Sequence, residues 1–356
     1  MKVIIALLAV VDLVTGVDKL SDDVLQLIKT AGYTGEAHQV ETVDGYLLKV
    51  HRVLPKISTR QQFPVLLIHG LGATSADFVI TGPKLALAYY LADAGYDVWL
   101  GNVRGNKHSM KHKNLSTESP EFWNFSFNEI GIYDLPAMID YMLHTTKSSK
   151  IFYVGHSQGG TSFIVCMSTL PEYNNKIAQA HLLGPAVFTS HIPHPMGPTL
   201  ATGIRNGFFG DSSFVNLDGF YNFAREFNNL IPDEKSQPLL EFFIFALMGP
   251  NKSGMEIDRR ILKTLTSHLS PRVSVKQTVH YVQLFYSNKF ESFDHQWNNS
   301  SQISSSKPRS YELKNISVPV YIYRGSEDAL IGEVVSEIIN CCMTSISIIV
   351  SLLPGH

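Results

Sequence analysis

At 356 residues, 44% apolar and 17% charged, the chain is long enough to bury a sizeable core and too apolar to stay disordered. A formal charge of −2 gives no electrostatic basis for a nucleic-acid partner. The cysteines Cys166, Cys341 and Cys342 exclude a disulfide framework: Cys166 reads as a small buried hydrophobe, and the adjacent pair could close only a strained ring.

Residues 1–16 read as a secretory signal peptide, with Lys2, an apolar run from Val3 to Val11 and a small residue at Gly16. The run is too short to span a bilayer, and Asp12 follows it closely. Secretion gives meaning to the Asn-x-Ser/Thr sites at Asn114, Asn251, Asn298 and Asn315, with Asn299 overlapping Asn298. Asn124 also qualifies, but its place inside Phe122-Trp123-Asn124-Phe125 predicts burial.

Strands and helices then alternate, which predicts a mostly parallel sheet with helices on its faces. Tyr46 to Val53 alternates as an early strand, and Pro64 to Gly70 is a continuous apolar one. Lys84 to Ala94 reads as a helix closed by Gly95, and Tyr96 to Leu100 as the next strand. Ile132 to His144 carries helical spacing, and Ile151 to Val154 is again a buried strand. Ala178 to Leu183, Val318 to Tyr323 and Ile346 to Leu353 continue the sheet. Between them, strand signals fade and phenylalanines crowd in, so residues 187–312 are expected to form a largely helical cap. The core is then 17–186 with 313–356.

Directly after the strand at Ile151 comes Gly155-His156-Ser157-Gln158-Gly159, then an apolar helix from Thr161 to Met167. A serine on a tight strand-to-helix turn sits in strained backbone, and its neighbours two positions away must be small to avoid the turn. Ser157 is the candidate nucleophile. A serine hydroxyl needs a histidine to take its proton and a carboxylate to orient that histidine, in the chain order serine, acid, histidine. The acid should lie just past a late strand, where Glu327 and Asp328 are chemically near equal. The one histidine after them is His356. Acyl transfer also needs donors for the oxyanion, for which the backbone N–H groups of Gln158 and Leu71 are placed. His69 and His156 abut glycine turns ahead of the acid and read as structural. No His, Cys and carboxylate cluster has metal-ligand spacing, and no cofactor is implied.

His38 to Tyr46, His69-Gly70-Leu71, Asp97 to Asn106, Phe122 to Gly131, Asp134 to Tyr141 and Gly155 to Thr161 form a set of stretches along the chain. Together they resemble the acid lipase family of gastric, lysosomal and insect digestive lipases. The resemblance implies an α/β-hydrolase fold, a secreted or lysosomal location, and hydrolysis of triacylglycerols or sterol esters at a lipid–water interface. By the family pattern Ser157 is the nucleophile and Asp328 the acid. Two positions depart from the pattern. Met248 stands where relatives commonly carry a cap cysteine, so a cap disulfide is not expected. The family register would put the catalytic histidine one or two residues beyond His356, so a missing or lost base is an expectation. That keeps two other readings open: a catalytically impaired lipid-binding relative and a small-ester carboxylesterase.

Overall fold

The structure, a computed structural model, describes residues 24–57, 61–189, 202–203, 212–216, 268, 270, 272–295, 307–325 and the backbone of 347–352. Eight described strands form one sheet: β1 (Gly35–Glu41), β2 (Leu47–Val53), β3 (Val65–Ile68), β4 (Val98–Gly101), β5 (Ile151–His156), β6 (Ile177–Leu183), β9 (Val320–Gly325) and β10 (Ser347–Leu352). Their spatial order is β1-β2-β4-β3-β5-β6-β9-β10. β1, β2 and β4 pair antiparallel in turn, and every pairing from β4 through β3 to β10 is parallel.

The continuous apolar strands follow from a sheet covered on both sides. Successive side chains of a strand point to opposite faces. Leu66 and Ile68 of β3 accordingly join Trp99 and Tyr153 in one core, and Val65 and Leu67 join Val98, Leu100 and Val154 in the other. Helices α4 (Leu135–Thr146) and α5 (Gln158–Thr169) cover the first face through Met138, Ile139, Phe163 and Ile164. Helices α1 (Val24–Thr30) and α2 (Leu87–Asp93) cover the second through Ile28, Ala88 and Tyr89. This is the expected α/β architecture.

Three departures have physical causes. The helix expected from Ile132 begins earlier, at α3 (Phe127–Glu129), where Ser126 and Glu129 form a reciprocal capping box. It then passes through a π turn (Ile130–Asp134), with the Leu135 N–H reaching back to the Ile130 carbonyl, before α4 resumes. Pro136 lacks an N–H and would crowd an ordinary helical turn, which the wider π turn accommodates. Within the stretch expected to be largely helical, β7 (Phe214–Asn216) pairs antiparallel with β8 (Arg272–Ser274), which runs directly into α6 (Val275–Ser287). Strands of three residues with such distant partners leave no local periodicity to read. Finally, Asn124 is exposed rather than buried: its neighbours Phe122, Trp123 and Phe125 point inward, while its Oδ1 accepts from Lys276 Nζ at 3.1 Å.

Candidate active site

β5 ends at His156, and Ser157 turns the chain into α5 with φ 49° and ψ −112°. A positive φ at a residue with a β-carbon costs on the order of 1–3 kcal/mol and persists only where surroundings impose it. Here the Ser157 N–H donates to the Leu183 carbonyl of β6 at 2.8 Å, while the Ser157 carbonyl accepts from the Gly160 and Thr161 N–H groups. The flanking glycines are obligatory. A β-carbon on Gly155 would lie 2.7 Å from the Gly159 carbonyl carbon and the Gly160 nitrogen, and one on Gly159 would lie 2.4 Å from the Ile68 oxygen. Backbone atoms cannot swing aside as a side-chain tip can. The backbone at Ser157 is thus the cramped strand-to-helix turn that the sequence predicts.

The chain leaving β3 passes close beside this elbow. A β-carbon on Gly70 would sit 3.3 Å from the Ser157 Cβ. The Gly70 carbonyl accepts from His69 Nδ1–H at 2.8 Å and from the Ala73 N–H at 3.3 Å. That carbonyl belongs to the same planar peptide as the Leu71 N–H, and no described peptide is cis. Pinning the oxygen therefore aims the Leu71 N–H the opposite way. The Leu71 side chain itself is 38% exposed. Gln158 is buried as the first residue of α5, where helical N–H groups have no partner within their own helix. Both expected oxyanion donors therefore sit on chain segments adjoining Ser157.

His69 is committed elsewhere. Its Nε2 accepts from the Val103 N–H at 3.3 Å and lies 2.9 Å from Asn106 Nδ2, so both ring nitrogens are occupied. Burial pushes its pKa down to about 4, which keeps the ring neutral. A ring so engaged cannot take a serine proton, in keeping with a structural role. Two asparagines extend the support. Asn106 Nδ2 donates to Asn102 Oδ1, which also accepts the Ser75 N–H at 2.9 Å. Asn102 Nδ2 in turn donates to the Lys49 carbonyl and to Ser75 Oγ. One pair of amides thereby ties both ends of the 69–75 loop to the strands below.

Beside them Arg104 is buried with its charge fully countered. Its Nε lies 2.7 Å from Asp134 Oδ1, its two terminal nitrogens lie 2.6 and 2.9 Å from Asp44, and the Tyr46 ring sits 4.0 Å from Cζ. These side chains explain physically why Asp44-Gly45-Tyr46, Asn102 to Asn106 and Asp134 occur in one chain. No local sequence rule assigns these residues a role. The one signal present was a string of polar residues directly after an apolar strand.

The remaining predicted positions divide plainly. His156 is exposed at the end of β5. Cys166 is a buried free thiol on α5. Asn114 is exposed, and Asn315 is exposed with its Nδ2 donating to the Ser168 carbonyl at 3.0 Å. Asp328 and His356 lie outside the described residues, as do Glu327, Asn251, Asn298, Asn299, Met248, Cys341, Cys342 and residues 1–16. Among the described residues no helix is long and apolar enough to cross a membrane.

Comparison with known proteins agrees with this architecture. The family model for the alpha/beta hydrolase fold matches residues 64–340, and that for a partial alpha/beta-hydrolase lipase region matches residues 24–82. The chain is 38% identical over 313 residues to Lipase 3 of Drosophila melanogaster, spanning 85% of this chain and 78% of that one. It is 33% identical over 318 residues to the human lysosomal acid lipase/cholesteryl ester hydrolase, spanning 86% and 78%. A soluble variant of monoglyceride lipase from Saccharomyces cerevisiae shares the fold, with a TM-score of 0.52, 18% identity and coverage of 89% and 85%. With these matches running across the elbow, the Leu71 loop and the sheet alike, the chain belongs to the lipases of the α/β-hydrolase fold, and it is an ester hydrolase.

Proposed function

We propose that this lipase cleaves triacylglycerols or sterol esters through an acyl-enzyme on Ser157. The observation that carries the reading is the forced left-handed backbone at Ser157, set directly beside the Leu71 loop. A histidine takes the Oγ proton as oxygen attacks the ester carbonyl. The Leu71 and Gln158 N–H groups hold the resulting oxyanion, and the histidine returns the proton to the departing alcohol. Water then repeats the sequence on the acyl-enzyme. Asp328 orients the base, and His356 is the candidate base. In support, β9 and β10 run parallel to β5 through β6, so Gly325 and Leu352 end their strands at the same sheet edge as His156, next to Ser157. Residues 187–312 serve as the cap that encloses the acyl chain. The enzyme acts at a lipid–water interface after secretion or delivery to lysosomes, with Asn114 exposed for a glycan.

The test is turnover of emulsified triolein and cholesteryl oleate against p-nitrophenyl acetate, for the native protein, Ser157→Ala and His356→Gln. Long-chain turnover that vanishes in Ser157→Ala supports the reading. Turnover of the acetate alone contradicts the lipid substrate, and undiminished turnover by His356→Gln removes that residue as base.

A further inference from the structure

The Leu71 loop is gripped from a second side, by residues far along the chain. Thr74 is fully buried, and its Oγ1 donates to the His268 carbonyl at 3.0 Å while accepting the Ala76 N–H at 3.2 Å. The Ser270 N–H donates to the Gly72 carbonyl at 2.8 Å. The segment making these two bonds continues into β8 and α6. There the Ser274 hydroxyl lies 2.7 Å from the Trp123 carbonyl and 2.8 Å from that of Phe125, and the Tyr281 hydroxyl lies 3.3 Å from Thr161 Oγ1 on α5. One run of chain therefore touches both the Leu71 loop and the helix that starts at the elbow.

The bonds also connect in series. The Ser270 N–H meets the Gly72 oxygen, and the nitrogen of that same peptide, Ala73 N–H, meets the Gly70 oxygen. The nitrogen of the Gly70 peptide is the Leu71 N–H. Hydrogen-bonded amides polarise one another, by about 10–30% per bond. A donor at the end of such a chain is both better oriented and more acidic than an isolated one.

We propose that His268 and Ser270, just ahead of β8, form a brace that sets and polarises the Leu71 N–H, with Thr74 as the positioning residue that fastens it. The oxyanion hole is then complete only while His268 and Ser270 are seated against the loop. This deepens the function proposed above and rests on Leu71 being an oxyanion donor.

The experiment compares Thr74→Val, which keeps the shape and loses both bonds, with Thr74→Ser, which keeps them. With p-nitrophenyl butyrate as a soluble ester, Thr74→Val should lower kcat about tenfold, part of the roughly hundredfold or greater loss that follows deletion of an oxyanion donor, at nearly unchanged KM. Thr74→Ser should restore it. Hydrogen exchange of the 69–76 peptide should quicken about tenfold in Thr74→Val, as expected for losing a bond of about 1.4 kcal/mol, and not in Thr74→Ser. Unchanged exchange and kcat in Thr74→Val, or a change in KM alone, overturns the brace. A native protein that exchanges as described but never hydrolyses the ester sinks the hydrolase reading instead, and leaves the brace standing as a structural clamp.

Discussion

Replacing Gly159 by alanine probes the contact on which the site is built. The new β-carbon would lie 2.4 Å from the Ile68 oxygen, 3.0 Å from its carbonyl carbon and 3.1 Å from its Cγ2. An unstrained carbon–oxygen approach is about 3.3–3.6 Å, so the two backbones must separate by about 1 Å. Ile68 cannot give way, because β3 is paired on both sides, with Gly101 of β4 and Gly155 of β5. The start of α5 must move instead. Overpacking of this kind costs about 1–3 kcal/mol, and a backbone obstacle places it at the upper end. The functional loss should be larger than the stability loss. Ser157 and Gln158 ride on the displaced helix while Leu71 stays with β3, and a misplacement of about 1 Å costs on the order of a hundredfold in rate. Thermal melts with kcat on p-nitrophenyl butyrate measure both effects. A Gly159→Ala enzyme that melts like the native protein, with kcat within about twofold, would refute the close approach and the positional account of the site built on it.

Other substitutions test the supports around the site. Arg104→Met leaves Asp134 buried without its cation, and breaking such a pair costs about 3–5 kcal/mol, readable by urea unfolding; native-like stability would contradict the network. Burial pushes the Asp77 carboxyl up from 3.8 to about 7. Because its folded pKa lies above the unfolded one, its contribution is full below the unfolded value and is lost as pH rises through about 7. Asp77→Asn should therefore gain on the native protein between pH 5 and pH 8, and a gap that does not widen with pH refutes the assignment. Burial likewise holds the His69 and His280 pKa values down to about 4 and that of His108 to about 3, from an ordinary 6.5. The stability these neutral rings allow is present above pH 6.5 and falls as the pH drops toward 4, since the unfolded chain binds the protons first. Replacing His280 with glutamine should reduce that slope by about one proton, and an unchanged slope would contradict it.

Much of this was legible from local rules. The buried strands at Val65 and Ile151 announce themselves as apolar runs, and the elbow follows from the size of the residues around Ser157. β1 was not legible as a strand: Gly35-Glu36-Ala37-His38-Gln39-Val40-Glu41 lies at the sheet edge with Val40 alone buried, so it has no apolar face to advertise it. The start at Phe127 was missed although Ser126 and Glu129 carry the capping signature, because the aromatic run around them reads as undifferentiated core. The support of the Leu71 loop joins His69, Asn102, Asn106 and His268, which no spacing rule brings together. Long-range polar pairing has no period. Asp328 and His356 were named from chain order and family pattern, and chain order speaks of sequence rather than distance.

Covalent capture of the serine tests the central claim most directly. The folded protein, treated with a fluorophosphonate and digested for mass spectrometry, should carry the phosphonyl group on Ser157, with no labelling in Ser157→Ala or after heat denaturation. A folded protein that remains unmodified, or that carries the label on another residue, would contradict the assignment of Ser157 as nucleophile.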